Sequence, residues 1–211
     1  MTAAVETNSP LKSRAKRGFT LTELAIVLGV MGAILGAIWT AAATVSANQK
    51  TAKAVRQILV LVEGIKSTYS TGTIPGGGQY LTPFAINSGL LPNDMIQSCT
   101  GTVWGANSGA FSGTAGCAVG PYQNQFLIVS QFGWWFPANA ADFELFTESA
   151  SMTSAQCIAF LGALVPQAVN DGLINVAING AVTAVNNTTS PTAAWIQACP
   201  AGAEIALQFQ L

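Results

Sequence analysis

The chain has 211 residues, of which 50% are hydrophobic and 8% are charged, with nine acidic residues, eight basic residues and no histidine. A chain this apolar has enough hydrophobic surface to build a core, which excludes intrinsic disorder and fits one domain with or without an appendage. The lack of histidine removes the commonest general base and a common metal ligand, which disfavours enzymes and zinc proteins. We therefore expect no enzymatic activity, no metal and no cofactor.

The basic residues are confined to the first third of the chain. The last one is Lys66, and residues 67–211 contain neither Lys nor Arg. The acidic residues of that part are Asp94, Asp142, Glu144, Glu148, Asp171 and Glu204. Because a surface without cations offers no electrostatic footprint for a phosphate backbone, we expect no direct binding of nucleic acid.

A long apolar segment follows a basic leader. A cluster of Lys and Arg at residues 12–17 precedes Gly18, and residues 24–39 are all apolar or Gly. As a helix, residues 19–45 are long enough to cross a hydrocarbon layer of ~30 Å. The positive-inside rule keeps the basic leader cytoplasmic and sends the rest of the chain across the membrane, where disulfides persist.

This segment has two interpretations, a cleaved signal peptide and a retained membrane helix. An ordinary signal peptide has an apolar region of about 7–15 residues before a small-residue cleavage site, which residues 41–43 would provide. The observed run is longer, and Glu23 lies near its start. A carboxylate inside an apolar membrane helix is costly and marks function, which favours retention. The alternative for Glu23 is that it only complements the positive end of the helix dipole.

The same residues resemble the processing and assembly signature of type IV pilins. The resemblance is carried by the basic leader, by Gly18 followed by Phe19, and by Glu23 at the fifth position of the long apolar run. It implies cleavage between Gly18 and Phe19 by a prepilin peptidase on the cytoplasmic side, and N-methylation of Phe19. It also implies an assembly role for Glu23, which would pair with the Phe19 amine of a neighbouring subunit. Such a pair satisfies both charges away from water and fixes the axial register between subunits.

The apolar run continues into an amphipathic helix. One helix is predicted from about Phe19 to Tyr69, roughly 75 Å long. Its second half has apolar residues every three or four positions, which is typical of a helix that rests on a globular head. These residues are Val55, Ile58, Leu59, Val62, Ile65 and Tyr69. Pro75 and the glycines after it end the helix.

The remainder of the chain predicts a mixed head. A long loop with short elements is expected over residues 79–123, strands at residues 125–130, 132–136, 143–148, 173–178 and 204–211, and helices at residues 152–164 and about 190–198. The helix at 152–164 has a capping box formed by Thr153 and Gln156, with Pro166 beyond its end. Strict alternation makes the last strand half-buried. Of Trp134 and Trp135, one should pack on the long helix and the other be exposed.

The fold class is therefore α+β, a long N-terminal helix packed against an antiparallel sheet. Four cysteines, Cys99, Cys117, Cys157 and Cys199, allow three disulfide pairings, and the first two flank the loop that their disulfide would close. A four-thiolate metal site lacks a Cys-x-x-Cys pair to support it. Cys157 and Cys199 resemble the C-terminal disulfide loop of type IVb pilins, which include the thin-pilus pilins of conjugative plasmids and toxin-coregulated pilin. A leader of residues 1–18 also suits that class, whereas Phe19 as the first mature residue is typical of type IVa.

We therefore expect a structural subunit of a type IV, specifically IVb, pilus for adhesion, mating or motility. Its parts would be a cleaved leader at residues 1–18, a membrane and assembly helix at 19–45 and a disulfide-stapled head at 46–211. Its partners would be identical subunits, the prepilin peptidase, the pilus assembly machinery and, before assembly, the bacterial inner membrane. The final location would be an extracellular pilus, or fimbrium. The alternatives are a minor pilin or type II secretion pseudopilin, and a secreted binding module with an ordinary signal peptide.

Overall fold

The computed structural model describes residues 19–71, 74, 80–97, 117–130, 135–137, 141–148, 152–185 and 199–211. The chain divides into two compact units, Met1–Thr44 and Val45–Leu211.

Helix α1 extends over Leu21–Thr68, a single element of 48 residues. The predicted long helix is thus confirmed to within two residues at its start and one at its end. Within the second unit, one stripe of α1 is buried because it packs on the head. The stripe consists of Ala54, Val55, Gln57, Ile58, Leu61, Val62 and Ile65. The amphipathic pattern is confirmed, although Leu59 and Tyr69 are only partly buried and pack at the edge of the core.

The second unit contains an antiparallel sheet, which has seven strands within the described residues. The strands are β1 Ile96–Gln97, β2 Cys117–Val119, β3 Gln125–Ser130, β4 Asp142–Glu148, β5 Leu173–Ile178, β6 Ala181–Ala184 and β7 Glu204–Gln210. Their order is β1-β2-β3-β4-β7-β5-β6, so the C-terminal strand lies between β4 and β5. The predicted α+β class with an antiparallel sheet is confirmed.

The head has cores on both faces of the sheet. On one face Phe143, Leu145, Leu207 and Phe209 join the buried stripe of α1 in the larger core. On the other face Leu127, Val129, Phe146, Ala177 and Ala206 form a smaller core with Phe136. Strand β7 is therefore buried on both faces. Its predicted half-burial is wrong because the segment around Phe136 covers the face that sequence alternation assigned to solvent.

The segment predicted as a strand at residues 132–136 is described only at Trp135 and Phe136, and neither lies in a strand. The Trp135 ring packs edge-on against Phe146 on the smaller core, with ring centroids 5.7 Å apart. In the described structure Trp135 thus covers the second face of the sheet, the side opposite α1. Trp134 and the predicted helix at residues 190–198 lie outside the described residues.

Helix α3 covers Ser154–Ala168, and its capping box of Thr153 and Gln156 is confirmed. The helix continues through Pro166, which the sequence analysis placed beyond its end. Pro166 is exposed, so its missing N–H removes a bond on the solvent side. Val165 and Ala168, on the buried side, keep the last turn packed against the core.

Several short elements had no predicted positions. Helix α2 covers Thr82–Asn87, and a 3₁₀ turn covers Asn93–Met95, in the segment predicted as a long loop with short elements. Strand β6 pairs with β5 through a turn at Asn179 and Gly180, whose φ angles are 47° and 82°. Positive φ at both positions is what a two-residue hairpin turn requires, and Asn-Gly is its strongest sequence signal. The sequence thus contains a signal for this hairpin, although strand β6 was not among the predicted elements.

A disulfide joins Cys157 on α3 to Cys199 just before β7, with the two Cα atoms 6.2 Å apart. Both cysteines are completely buried. The pairing implied by the resemblance is confirmed. Cys117 on β2 is also disulfide-bonded, and Cys99 lies outside the described residues.

Candidate functional site

The residues singled out for assembly lie at the start of α1. Gly18 lies outside the described residues. Phe19 follows it, is 80% exposed, and precedes the first helical residue by two positions. Glu23 is in the first turn of the helix and is exposed. The structure thus places Phe19 and Glu23 at the same end of one helix, with Thr20 between them.

Thr20 and Glu23 cap this helix reciprocally. The backbone N–H of Glu23 donates to Thr20 Oγ1 over 3.3 Å. In return the Glu23 carboxylate oxygen Oε2 accepts from the Thr20 backbone N–H and from the Thr20 hydroxyl, each over 2.9 Å. This is a capping box, which satisfies backbone donors that a helix start leaves without partners. The sequence analysis missed Thr20, although the spacing Thr-x-x-Glu before an apolar run is the signature of such a box.

The capping box engages only part of the Glu23 carboxylate. Both hydrogen bonds from Thr20 reach Oε2, and none from the described residues reaches Oε1. The dipole of α1 places partial positive charge at this helix end, which favours the ionised carboxylate. The arrangement therefore presents one fixed, exposed carboxylate oxygen to an external cation.

The part of α1 beyond this site is exposed and packs on none of the described residues of its own unit. The large apolar side chains between Leu21 and Trp39 are about half or more exposed. Among the described elements, α1 is the helix with the length and apolar composition needed to cross a membrane. An apolar surface that surrounds a helix is stable only in lipid or against other apolar helices. A carboxylate at the start of such a helix is accordingly positioned for a membrane or a helix bundle.

A buried polar cluster links adjacent strands of the head. Gln208 donates to Asp142 Oδ2 over 3.0 Å and accepts from the amide of Asn175 over 2.7 Å. Burial raises the pKa of the Asp142 carboxyl, and the hydrogen bond from Gln208 opposes this rise in part. Across the described residues, no three His, Cys, Asp or Glu side chains are grouped so that they could hold a metal ion. The carboxyl of Asp142 on β4 and the carboxamides of Gln208 on β7 and Asn175 on β5 thus cross-link these three adjacent strands.

Residues 13–39 match the family described as Prokaryotic N-terminal methylation motif. The matched stretch includes Gly18, Phe19, the capping box and the exposed apolar turns of α1. No curated protein matches the chain. The motif supports a type IV pilin-like or pseudopilin role, and proteins of the pilin type are structural rather than catalytic. Together with the apolar helix, it indicates anchoring in a membrane before assembly into surface pili.

Proposed function

We propose that this chain is the structural subunit of a type IVb pilus. The leader, residues 1–18, is removed by a prepilin peptidase. Residues 19–45 hold the mature subunit in the inner membrane, and the pilus assembly machinery then transfers it into an extracellular filament of identical subunits. The observation that carries this proposal is Glu23, a carboxylate held by Thr20 at the start of an apolar helix whose side chains are exposed in the described structure.

The course of α1 supports retention of the apolar segment. An ordinary signal peptide cut near residues 41–43 would be cleaved in the middle of α1, within regular helix on both sides. The bond between Gly18 and Phe19 instead precedes the capping box and the first helical residue. Cleavage there leaves every hydrogen bond of the capping box in place, so the helix start survives maturation.

The geometry of Glu23 supports its pairing with a neighbouring subunit. Cleavage creates an amine at Phe19, which is cationic whether or not it carries a methyl group. In a filament core that excludes water, a lone amine or carboxylate would cost several kcal/mol, whereas a pair satisfies both. Because Thr20 fixes the carboxylate through Oε2, Oε1 points to a defined partner position and sets the axial register between copies.

The N-terminus of the mature protein tests this proposal. We expect membrane and shed-fibre fractions to contain a chain that begins at N-methylated Phe19, as measured by mass spectrometry of the intact protein and its first peptide. A Gly18→Val variant should stay uncleaved and serves as the control for peptidase dependence. A mature chain that begins near residue 43 would instead establish the secreted binding module and overturn the pilin proposal.

A minor pilin or a type II secretion pseudopilin is the second candidate, because the matched methylation motif does not separate these classes from a major pilin. The copy number in purified fibres distinguishes them. A major subunit should account for most of the fibre mass, whereas a minor component should be present at a few copies beside another pilin.

A further inference from the structure

The head has an apolar groove between α1 and α3. Its volume is about 440 Å³. We define this α1–α3 groove by Val55, Arg56, Leu59, Val60 and Glu63 of α1 and by Ala159, Ala163 and Gln167 of α3. Val60, which also lines the groove, is 44% exposed. All of these residues lie in the second compact unit.

Arg56 stands on the ridge of α1 beside the groove. It also lines a second, smaller depression next to Asp94. Its side chain is exposed and makes no hydrogen bond or ion pair within the described part of the chain. Glu63 lies seven residues further along the helix, about 10 Å away, which is too far for an ion pair between them. Arg56 is therefore a cation at the mouth of an apolar groove that forms no ion pair with the described residues of its own chain.

The other cations of the head are engaged differently. Lys53 forms an ion pair with Asp94, with Nζ and Oδ2 2.5 Å apart. Lys66 donates to the backbone carbonyl of Asp171 over 3.3 Å. Lys50 is exposed on the helix but does not line the groove. Arg56 is thus the cation that combines an apolar neighbourhood with an unused charge in the described head.

The distribution of charge in the sequence restricts what the heads of two copies offer each other. Residues 67–211 contain no Lys or Arg. Across a contact between copies, an acid in that part can therefore pair only with a Lys or Arg from the first 66 residues of the other copy. Asp142 and Glu144 are buried in their own fold, and Asp94 is paired with Lys53. Asp171 and Glu204 are the partly exposed acids of that part, and the side chain of Glu148 is outside the described part.

We propose that the α1–α3 groove is the docking surface for the head of a second copy of this chain, and that Arg56 receives an acidic side chain from that copy. The inference rests on the proposed function as a filament subunit. The apolar residues of the groove supply the hydrophobic contact. The Arg56 guanidinium orients the second copy on the groove, because it is a planar donor suited to carboxylates. A carboxylate from residues 67–211 is the complementary charge that each copy holds in surplus.

Charge reversal in the full chain tests the ion pair. Arg56→Glu should lower the yield of sheared fibres by about tenfold, since it places like charges across the contact. The membrane pool of mature subunit should stay unchanged, because Arg56 has no intrachain partner among the described residues. Arg56→Lys keeps the charge and should assemble close to the wild-type level.

Rescue identifies the partner. Arg56→Glu is combined in turn with Asp171→Lys, Glu204→Lys and Glu148→Lys, and we expect one combination to restore most of the fibre yield. A normal yield for Arg56→Glu alone would overturn the proposal, and so would a loss that none of the three reversals restores.

An exposed apolar control, Val60→Ser, should reduce fibres without changing the membrane pool, and a normal yield from it would remove the groove from the contact.

These outcomes are separate from failure of the proposed function. If the wild-type chain is processed at Phe19 and forms fibres, the pilin proposal stands whatever Arg56 does. If the wild-type chain forms no fibres, the proposed filament function and the docking surface are both wrong. The absence of fibres then cannot be attributed to the substitutions at Arg56.

Discussion

Thr20 and Glu23 hold each other at the start of α1, through the Glu23 N–H bond to Thr20 Oγ1 and two bonds from Thr20 to Glu23 Oε2. The carboxylate that we assign to assembly is therefore also a cap of its own helix. In the proposed assembly the two tasks would use different oxygens, since Oε2 accepts the bonds of the cap and Oε1 would pair with a neighbouring amine. Substitutions that separate the charge of Glu23 from its capping ability can distinguish the tasks.

Removal of the Glu23 carboxylate should block assembly and spare processing. Glu23→Ala should yield a mature chain in the membrane fraction but few fibres, because the incoming subunit no longer offers a counter-charge to the Phe19 amine. Immunoblots of the sheared and membrane fractions measure both quantities. Abundant normal fibres from this variant would remove the assembly role.

Glu23→Gln is the matched control, because its amide oxygen still accepts the capping bonds but carries no charge. We expect fibres to be lost to the same extent as in Glu23→Ala. If Glu23→Gln assembles normally and Glu23→Ala does not, capping rather than charge explains the requirement for this residue.

Loss of the Thr20 hydroxyl should weaken assembly to a smaller degree. Thr20→Val keeps the shape of the side chain but removes the acceptor for the Glu23 N–H, which destabilises the helix start by about 1 kcal/mol. The Glu23 carboxylate then also loses the hydrogen bond from the Thr20 hydroxyl, one of the two that hold it in place. Fibre yield should fall below wild type but stay above that of Glu23→Ala, and Thr20→Ser should be normal. A yield for Thr20→Val equal to wild type would show that the box does not position Glu23.

The Cys157–Cys199 disulfide should stabilise the head. Replacing both residues by Ser opens a link between positions 42 residues apart, and we expect a loss of about 2–4 kcal/mol in the free energy of unfolding. Thermal unfolding of the detergent-extracted full chain measures this loss. Adding reductant to the double variant should lower its unfolding temperature further, because Cys117 is also disulfide-bonded. An unfolding temperature equal to wild type in the double variant would contradict the prediction.

Asp142 should make the head less stable as the pH rises. Burial raises the pKa of its carboxyl above the ordinary value of 3.8, so the folded state binds this proton more tightly than the unfolded chain does. The stability contributed by the protonated form is present below pH 3.8 and is lost as the pH rises through the raised folded pKa. Asp142→Asn should therefore unfold at a higher temperature than wild type at neutral pH.

The same comparison at low pH is the internal control. The difference between Asp142→Asn and wild type should shrink as the pH falls toward 3.8, because both side chains are then neutral acceptors for Gln208. A difference that does not change with pH would assign the effect to packing rather than to ionisation. Unfolding temperatures of the extracted full chain over a pH series supply the test.

Much of the chain could be read from its residues. The apolar run and the three- and four-residue spacing that follows it gave α1 nearly to its ends, because both patterns depend on local periodicity. The β-rich composition of β3 and β5, the alternation in β7 and the capping box of α3 were equally local. The resemblance supplied the pairing of Cys157 with Cys199, which four cysteines in sequence leave open.

Other features were lost because they depend on contacts between distant residues. Trp135 packs on Phe146 and covers the second face of the sheet, which no pattern around Trp135 encodes. Pro166 remains inside α3 because Val165 and Ala168 are anchored in the core, and this tertiary packing offsets the bond that proline removes. Strand β6 is a different case, because its hydrophobic pattern is weak but the local Asn179–Gly180 turn that joins it to β5 has a sequence signal.

The sequence by itself determined the membrane-compatible helix, the carboxylate at its start and the one-sided distribution of charge, because composition and spacing along the chain are enough to define them. Only the tertiary structure decided that Trp135 covers the second face of the sheet, that β7 is buried on both faces and that Arg56 stands at an apolar groove. Each of these depends on which groups meet in space, and hydrogen-bond partners and burial are properties of that arrangement rather than of residue order.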